Sequence, residues 1–388
     1  MNDPAKAQLE AIFREGVDAL RAGDAPRARR AFDEVTVSGR ASPQVWLLLA
    51  QSCDMVDDRA AARRALDEVL KADPSNPYAA VMHGEILTRD GNERAAVPWY
   101  DRALATGAVV QNPPADLVER LNRARAVRDA TVARFEAQVQ DGLDAAGIDV
   151  AAAGPRFAEA LAIMNGRAKP QPQVPTNFFY PRLPHIPFYN PADFAWVPAL
   201  EAAFPAIRAE AEAVLADRRG TAPYVQRPAD LPTRAHTLMN DPRWSAFHLI
   251  KDGEVIAANA ARCPATMAAL QGLPIPAIKG HSPLALFSIL EPGTHIQPHH
   301  GMLNTRLICH LPLIVPTDCA LRVGNETQTV RPGKMMIFDD SIEHEAWNRS
   351  NDIRVILLFE IWRPELTEAE RAGLTALYEA ARTYGSEH

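Results

Sequence analysis

Residues 292–360 read PGTHIQPHHGMLNTRLICHLPLIVPTDCALRVGNETQTVRPGKMMIFDDSIEHEAWNRSNDIRVILLFE, and the fold of the C-terminal half turns on them. Short apolar runs (TRLICHLPLIV, CALRVG, TQTV, KMMIFD, RVILLFEIW, with LALFSIL just upstream) are broken by turn signals such as Glu291-Pro292-Gly293 and Arg331-Pro332-Gly333. Runs of this length and composition predict strands. Their spacing predicts a jelly-roll or double-stranded β-helix barrel. Residues 198–217 predict a helix that would buttress one face.

The same stretch carries the chemistry. His299 and His344 lie 45 residues apart, and Arg354 follows the second by ten. Two imidazoles from separate strands can hold a divalent metal and leave positions open for oxygen and an oxo acid, the layout of a non-haem Fe(II) oxygenase. The usual facial triad adds a carboxylate two residues after the first His, but that position is Gly301. Either water completes the coordination sphere or a nearby group does, with His295, His300 and Asp340 as candidates. Arg354 sits in an apolar strand, where a buried charge is costly unless paired; a bound dicarboxylate would pair it bidentately. Ser288 and His310 are candidate helpers for that carboxylate, and Arg306 is a candidate to face substrate. On residues alone, satisfied rim histidines and an outward-facing Arg354 stay open as alternatives.

The first third repeats itself. Gly23-Asp24-Ala25-Pro26-Arg27-Ala28 returns as Asp57-Asp58-Arg59-Ala60-Ala61-Ala62 and as Gly91-Asn92-Glu93-Arg94-Ala95-Ala96, at an offset of 34 residues. Gly16, Ala50 and Gly84 keep that offset, as do Phe32, Leu66 and Tyr100. Small residues at a close helix crossing and a large one on the second helix are the tetratricopeptide pattern. Three units predict a short superhelix with a concave face suited to peptide binding. One long helix over residues 114–147 and a shorter one over 155–163 follow. Prolines at alternate positions in KPQPQVP, residues 169–175, predict an extended linker.

A formal charge of −7 and a pI near 5.9 argue against a nucleic-acid or anionic-membrane binder, despite Arg clusters at 27–30 and 59–64. Cys53, Cys263, Cys309 and Cys319 lack disulfide or metal spacing, so reduced thiols are expected. With no secretory signal and no apolar run long enough to span a membrane, a cytoplasmic protein is expected.

EPGTHIQPHHG, NTRLICHLPLIVP, RVGNET, FDDSIEHEAW and IRVILLFEIWRPELT together resemble the oxygenase domain of the aspartyl/asparaginyl β-hydroxylases, over residues 178–366. The resemblance implies Fe(II), 2-oxoglutarate as co-substrate and O2. It implies that His299 and His344 bind the metal, and that Gly301 is the family's own glycine. Arg354 would bind 2-oxoglutarate with Ser288 and His310 in support, and Arg306 would face substrate. The animal enzymes also join a tetratricopeptide region to this domain. One departure stands out: a second Arg of those enzymes falls on Ile308. A related bacterial branch hydroxylates lipid A acyl chains.

The expected domains are repeats over 1–110, a helical extension over 111–168, a Pro-rich linker over 169–176 and an oxygenase domain over 177–388. The expected activity is a dioxygenase acting on Cβ of Asp or Asn in a peptide or protein partner held by the repeats. The alternatives are the same chemistry on a small molecule or lipid, and a non-catalytic scaffold.

Overall fold

The structure, a computed structural model, describes residues 4–226 and 237–384, in two compact units, Met1–Arg167 and Ala168–His388. The first unit is helical. Three hairpins, α1 (Pro4–Arg21) with α2 (Ala25–Val37), α3 (Pro43–Met55) with α4 (Arg59–Ala72) and α5 (Pro77–Arg89) with α6 (Glu93–Gly107), are followed by α7 (Ala115–Ala145), α8 (Val150–Ala153) and α9 (Pro155–Met164).

The repeated motif is a helix start. Asp24, Asp58 and Asn92 accept the backbone N–H groups of Arg27, Ala61 and Ala95, satisfying donors the first turn leaves unpaired. The residue before each cap, Gly23, Asp57 or Gly91, has positive φ (79°, 61° and 74°), which lets the chain reverse between helices. Buried Phe32, Leu66 and Tyr100 then pack in one shared cluster.

The small residues at the crossings are sterically required. A Cβ on Gly84 would meet the Tyr100 ring at 2.4 Å, and the Tyr100 hydroxyl is held by Thr88 at 2.8 Å, so the ring has little freedom to retreat. Overpacking costs about 1–3 kcal/mol, against roughly 1 kcal/mol gained in helix propensity. Gly84→Ala should therefore destabilise the protein by up to about 2 kcal/mol, read as a lower urea midpoint; a raised midpoint would show the crossing to be loose.

The second unit is built on antiparallel strands: β1 (Phe188–Tyr189), β2 (Thr221–Pro223), β3 (Trp244–Lys251), β4 (Glu254–Val255), β5 (Ala285–Leu290), β6 (Thr294–His299), β7 (Arg306–Ile314), β8 (Cys319–Val323), β9 (Glu326–Thr329), β10 (Met336–Phe338), β11 (His344–Asn348) and β12 (Arg354–Trp362). Helices α10 (Val197–Ala202), α11 (Phe204–Asp217), α12 (Ala257–Ala260), α13 (Pro264–Leu270) and α14 (Glu368–Tyr384) accompany them.

The expected closed jelly-roll or double-stranded β-helix is not what forms. The strands make two open sheets, β1-β10-β7-β12-β5-β3-β2 with β4 beside β3, and β6-β11-β8-β9. Closure would need the end strands to pair with further strands. Among the described residues, β1 and β2 do not, being two and three residues long, and Pro223 in β2 lacks a donor. At the end of the smaller sheet, β9 is wholly exposed.

Strand alternation sorts the side chains of the large sheet. Val355, Leu357, Phe359 and Ile361 of β12, with Leu307, Cys309, Leu311 and Leu313 of β7, pack with Leu200, Ile207 and Val214 of α10 and α11. On the opposite face Trp244, Leu290 and Phe338 share a cluster with Ile296, Leu321 and Ala346 of the smaller sheet. The four cysteines are free and buried. No helix among the described residues is long and apolar enough to cross a membrane.

Candidate functional site

The alternate residues that do not face the helices line a cavity of about 1120 Å³: Arg354, Ile356, Leu358 and Glu360 from β12, and Arg306, Ile308 and His310 from β7. His299, His300 and His344 line it from the smaller sheet and its connections. Alternation thus brings His299, His344, Arg354, Ser288, His310 and Arg306 to one cavity.

His299 ends β6 and His344 opens β11, and the two are register partners. Their ring centroids lie 4.1 Å apart with planes inclined by 49°. His299 Nδ1 lies 2.7 Å from the Gln297 carbonyl, and His344 Nδ1 lies 3.1 Å from that of Ile342. Donation from Nδ1 fixes the tautomer in which Nε2 carries the lone pair, the arrangement metal-ligating histidines use. Burial, and then the neighbouring His299, push His344 down to about 3, so it is neutral at pH 7.

Across the cavity Arg354 is 2% exposed, and its Nη1 has no hydrogen-bond partner among the described residues. Burial lowers it to about 10, so it stays charged at neutral pH. A buried guanidinium without a partner is expensive, and an anionic ligand would repay the cost. Buried Ser288 accepts the Trp244 indole N–H at 3.1 Å, which leaves the Ser288 O–H to donate. Burial and the nearby Arg354 hold His310 well below its usual range, hence neutral.

Arg306 is already paired. Its Nη1 lies 2.5 Å from Glu360 Oε2 and also donates to Ser282 Oγ, while Glu360 Oε1 accepts the Leu284 N–H at 3.1 Å. Ile308, between Arg306 and His310 on the cavity face of β7, joins an apolar cluster with Ile356, Leu358 and Tyr224.

The three candidates for a third metal ligand part company. His295 turns outward to Glu345 at 2.6 Å and is not on the cavity wall. His300, which alternation would send away, does line the cavity because β6 ends at His299. Asp340 occupies the space opposite Gly301, where an added Cβ would lie 2.0 Å from its Oδ2. A carboxyl from residue 340 thus fills the volume that a side chain at 301 would need. Burial, with Asp339 beside it, raises Asp340 to about 8. Among the described residues no three His, Cys, Asp or Glu side chains form a group that could hold a metal on their own.

Sequence reasoning missed Glu360, the Tyr224–Trp244 stack (ring centroids 4.2 Å apart) and the cavity residues Thr176 and Asn177. Glu360 was findable, since six residues after Arg354 in one strand is the same face. Nothing local marked the others.

Residues 201–364 match the aspartyl/asparaginyl beta-hydroxylase family, and residues 13–54 and 56–112 match the tetratricopeptide repeat. An ornithine lipid ester-linked acyl 2-hydroxylase of Rhizobium tropici is 40% identical over 191 residues, 48% of this chain and 64% of the relative. The human aspartyl/asparaginyl beta-hydroxylase is 28% identical over 338 residues, 83% of this chain and 39% of the relative. The human aspartate beta-hydroxylase domain-containing protein 2 is 31% identical over 220 residues, 55% of this chain and 58% of the relative. The chain therefore spans less than two thirds of these relatives.

Proposed function

The chain carries an aspartyl/asparaginyl β-hydroxylase domain behind tetratricopeptide repeats, and from that we propose that it is an Fe(II)- and 2-oxoglutarate-dependent hydroxylase. The observation that carries the proposal is the pairing of adjacent imidazoles His299 and His344 with buried Arg354, whose Nη1 is unpartnered among the described residues, in one cavity. The donor set suits the cofactor: both rings donate from Nδ1, the arrangement in which a histidine ligates through Nε2, and Gly301 supplies no competing side chain. When bound, Fe(II) supplies the redox chemistry, in which O2 places one oxygen atom in succinate, formed with CO2 from 2-oxoglutarate, and the other in a substrate C–H bond as hydroxyl.

The residues of the chain bind and orient. The Arg354 guanidinium grips the far carboxylate of the oxo acid, and the Ser288 O–H donates to the same group. His310, held neutral by burial, adds no second charge there. Trp244 and Tyr224 form an aromatic wall, and Leu358 and Ile356 an apolar floor, that keep water from the reacting carbon.

Among the described residues the cations lining the cavity are Arg306 and Arg354. The oxo acid uses Arg354, Glu360 neutralises Arg306, and Ile308 is apolar. That balance suits an acyl chain better than an aspartate side chain, and it agrees with the activity named for the Rhizobium relative. A second reading, hydroxylation of Asp or Asn in a peptide, is favoured by the repeats and by the human relative, whose match extends over 83% of this chain. In it the repeat unit recruits the polypeptide.

Succinate formation by the full-length protein with Fe(II), ascorbate and 2-oxoglutarate tests the proposal. Acyl amphiphiles should stimulate it at least tenfold. Stimulation by Asp- or Asn-containing peptides instead would shift the choice to the second reading. No succinate with either class would leave a non-catalytic scaffold.

A further inference from the structure

We infer that residues 173–178 form a strap that stitches together the two loops carrying His299 and His344, with Gln173, Asp339 and Arg363 as positioning residues. The inference rests on the metal-site reading above, but concerns residues that lie in no ligand position. The strap lies upstream of the family match at 201–364 and runs into the segment whose sequence predicts only a linker.

Its backbone donors reach both loops. Val174 N–H donates to Ser341 at 2.7 Å, Thr176 N–H to Gly301 at 2.9 Å and Asn177 N–H to Met302 at 3.0 Å. Single bridges pair Gln173 with Ile342 and Phe178 with Leu303. Gly301 stands two residues after His299, and Ile342 two before His344, where its carbonyl accepts the His344 Nδ1 proton. One segment therefore holds both histidine loops. Pro172 and Pro175 restrict its backbone, lowering the entropy lost on docking.

A buried pair anchors it. Asp339 and Arg363 are both 0% exposed, with Arg363 Nη1 2.8 Å from Asp339 Oδ2. Gln173 Nε2 reaches the same oxygen at 2.7 Å, and Gln173 Oε1 accepts from Asn304 at 3.1 Å. The other Asp339 oxygen accepts the Ser341 N–H at 3.0 Å and its hydroxyl at 2.5 Å, which fixes the turn leading to His344. Arg363 also donates to the Pro184 carbonyl and the Tyr189 hydroxyl. An external clamp is needed here because the β6–β11 ladder shifts register between His344 and Ala346, so strand pairing alone leaves the ring alignment under-determined.

The test is Mn(II) binding to the full-length protein by calorimetry, with neither oxo acid nor oxygen present. Gln173→Ala keeps the buried ion pair and removes the strap's side-chain anchor. Thr176→Pro removes the N–H that reaches Gly301. Each should weaken Mn(II) binding about tenfold, the usual cost of losing an outer-shell orienting contact, and should alter the Mn(II) resonance spectrum. A lower melting temperature with Mn(II) affinity unchanged within twofold would overturn the inference and leave the strap merely structural. If the parent protein itself binds no Mn(II), the metal-site reading falls and the strap inference with it.

Discussion

Replacing His344 by alanine should remove metal binding and all turnover while leaving the fold in place. Among the described residues the ring bonds to backbone two and four residues back, at Ile342 and Asp340, so truncation breaks local contacts and no long-range side-chain network. What it removes is half of the donor set, since His299 alone would hold a divalent ion only weakly. The loss should exceed the roughly 10–100-fold cost of disturbing an outer-shell partner. Calorimetry with Mn(II) and succinate formation read the two effects. His295→Ala, which removes an imidazole paired outward to Glu345, should bind metal like the parent. Equal metal affinity in His344→Ala and the parent would end the assignment.

The same substitution changes how stability depends on pH in the metal-free protein. Burial depresses His344 to about 3, below its unfolded value of 6.5. Between those limits the unfolded chain binds the extra proton, so parent stability falls as pH drops from about 6.5 toward 3. His344→Ala should lessen that fall, leaving the portions due to His310, His248, His83 and His281, which burial shifts the same way.

Arg354→Gln should lose the oxo acid and gain stability. The guanidinium is buried, its Nη1 is unpartnered among the described residues, and burial pulls it down to about 10. Removing one partner of a buried, hydrogen-bonded charge pair costs about 2–5 kcal/mol, roughly thirtyfold to several thousandfold in the 2-oxoglutarate concentration needed. Metal binding should persist, because Arg354 is no ligand. In the metal-free protein the opposite sign is expected. Relieving a desolvated, uncompensated charge should stabilise by about 1–3 kcal/mol, raising the melting temperature by about 2–4 °C per kcal/mol for a unit of this size. A falling melting temperature would mean the guanidinium has a structural partner in the protein. Arg354→Lys keeps the charge without the bidentate fork and should fall between parent and Gln.

Much of this site is written in strand alternation. Arg354, Ile356, Leu358 and Glu360 share one face because side chains alternate along a strand, and the same rule sets Arg306, Ile308 and His310 together. Alternation could not say that Glu360 would neutralise Arg306, since that pair joins neighbouring strands whose register is set by distant contacts. His300 broke the rule because its strand had ended.

Local chemistry also wrote the helical third. Asp24, Asp58 and Asn92 cap helices through atoms three residues away, and Gly84 yields to Tyr100 within one hairpin. Signals of that range survive in any single chain, so the repeat period and the strand runs were legible without coordinates, and strand alternation explains why His299, His344 and Arg354 line one cavity. Tertiary structure decided the rest: that the sheets stay open, that Asp340 fills the volume beside Gly301, and that the proline-rich segment is a strap. Each of those outcomes depends on which backbone donors and acceptors find partners far along the chain, and no local pattern of residues encodes that choice.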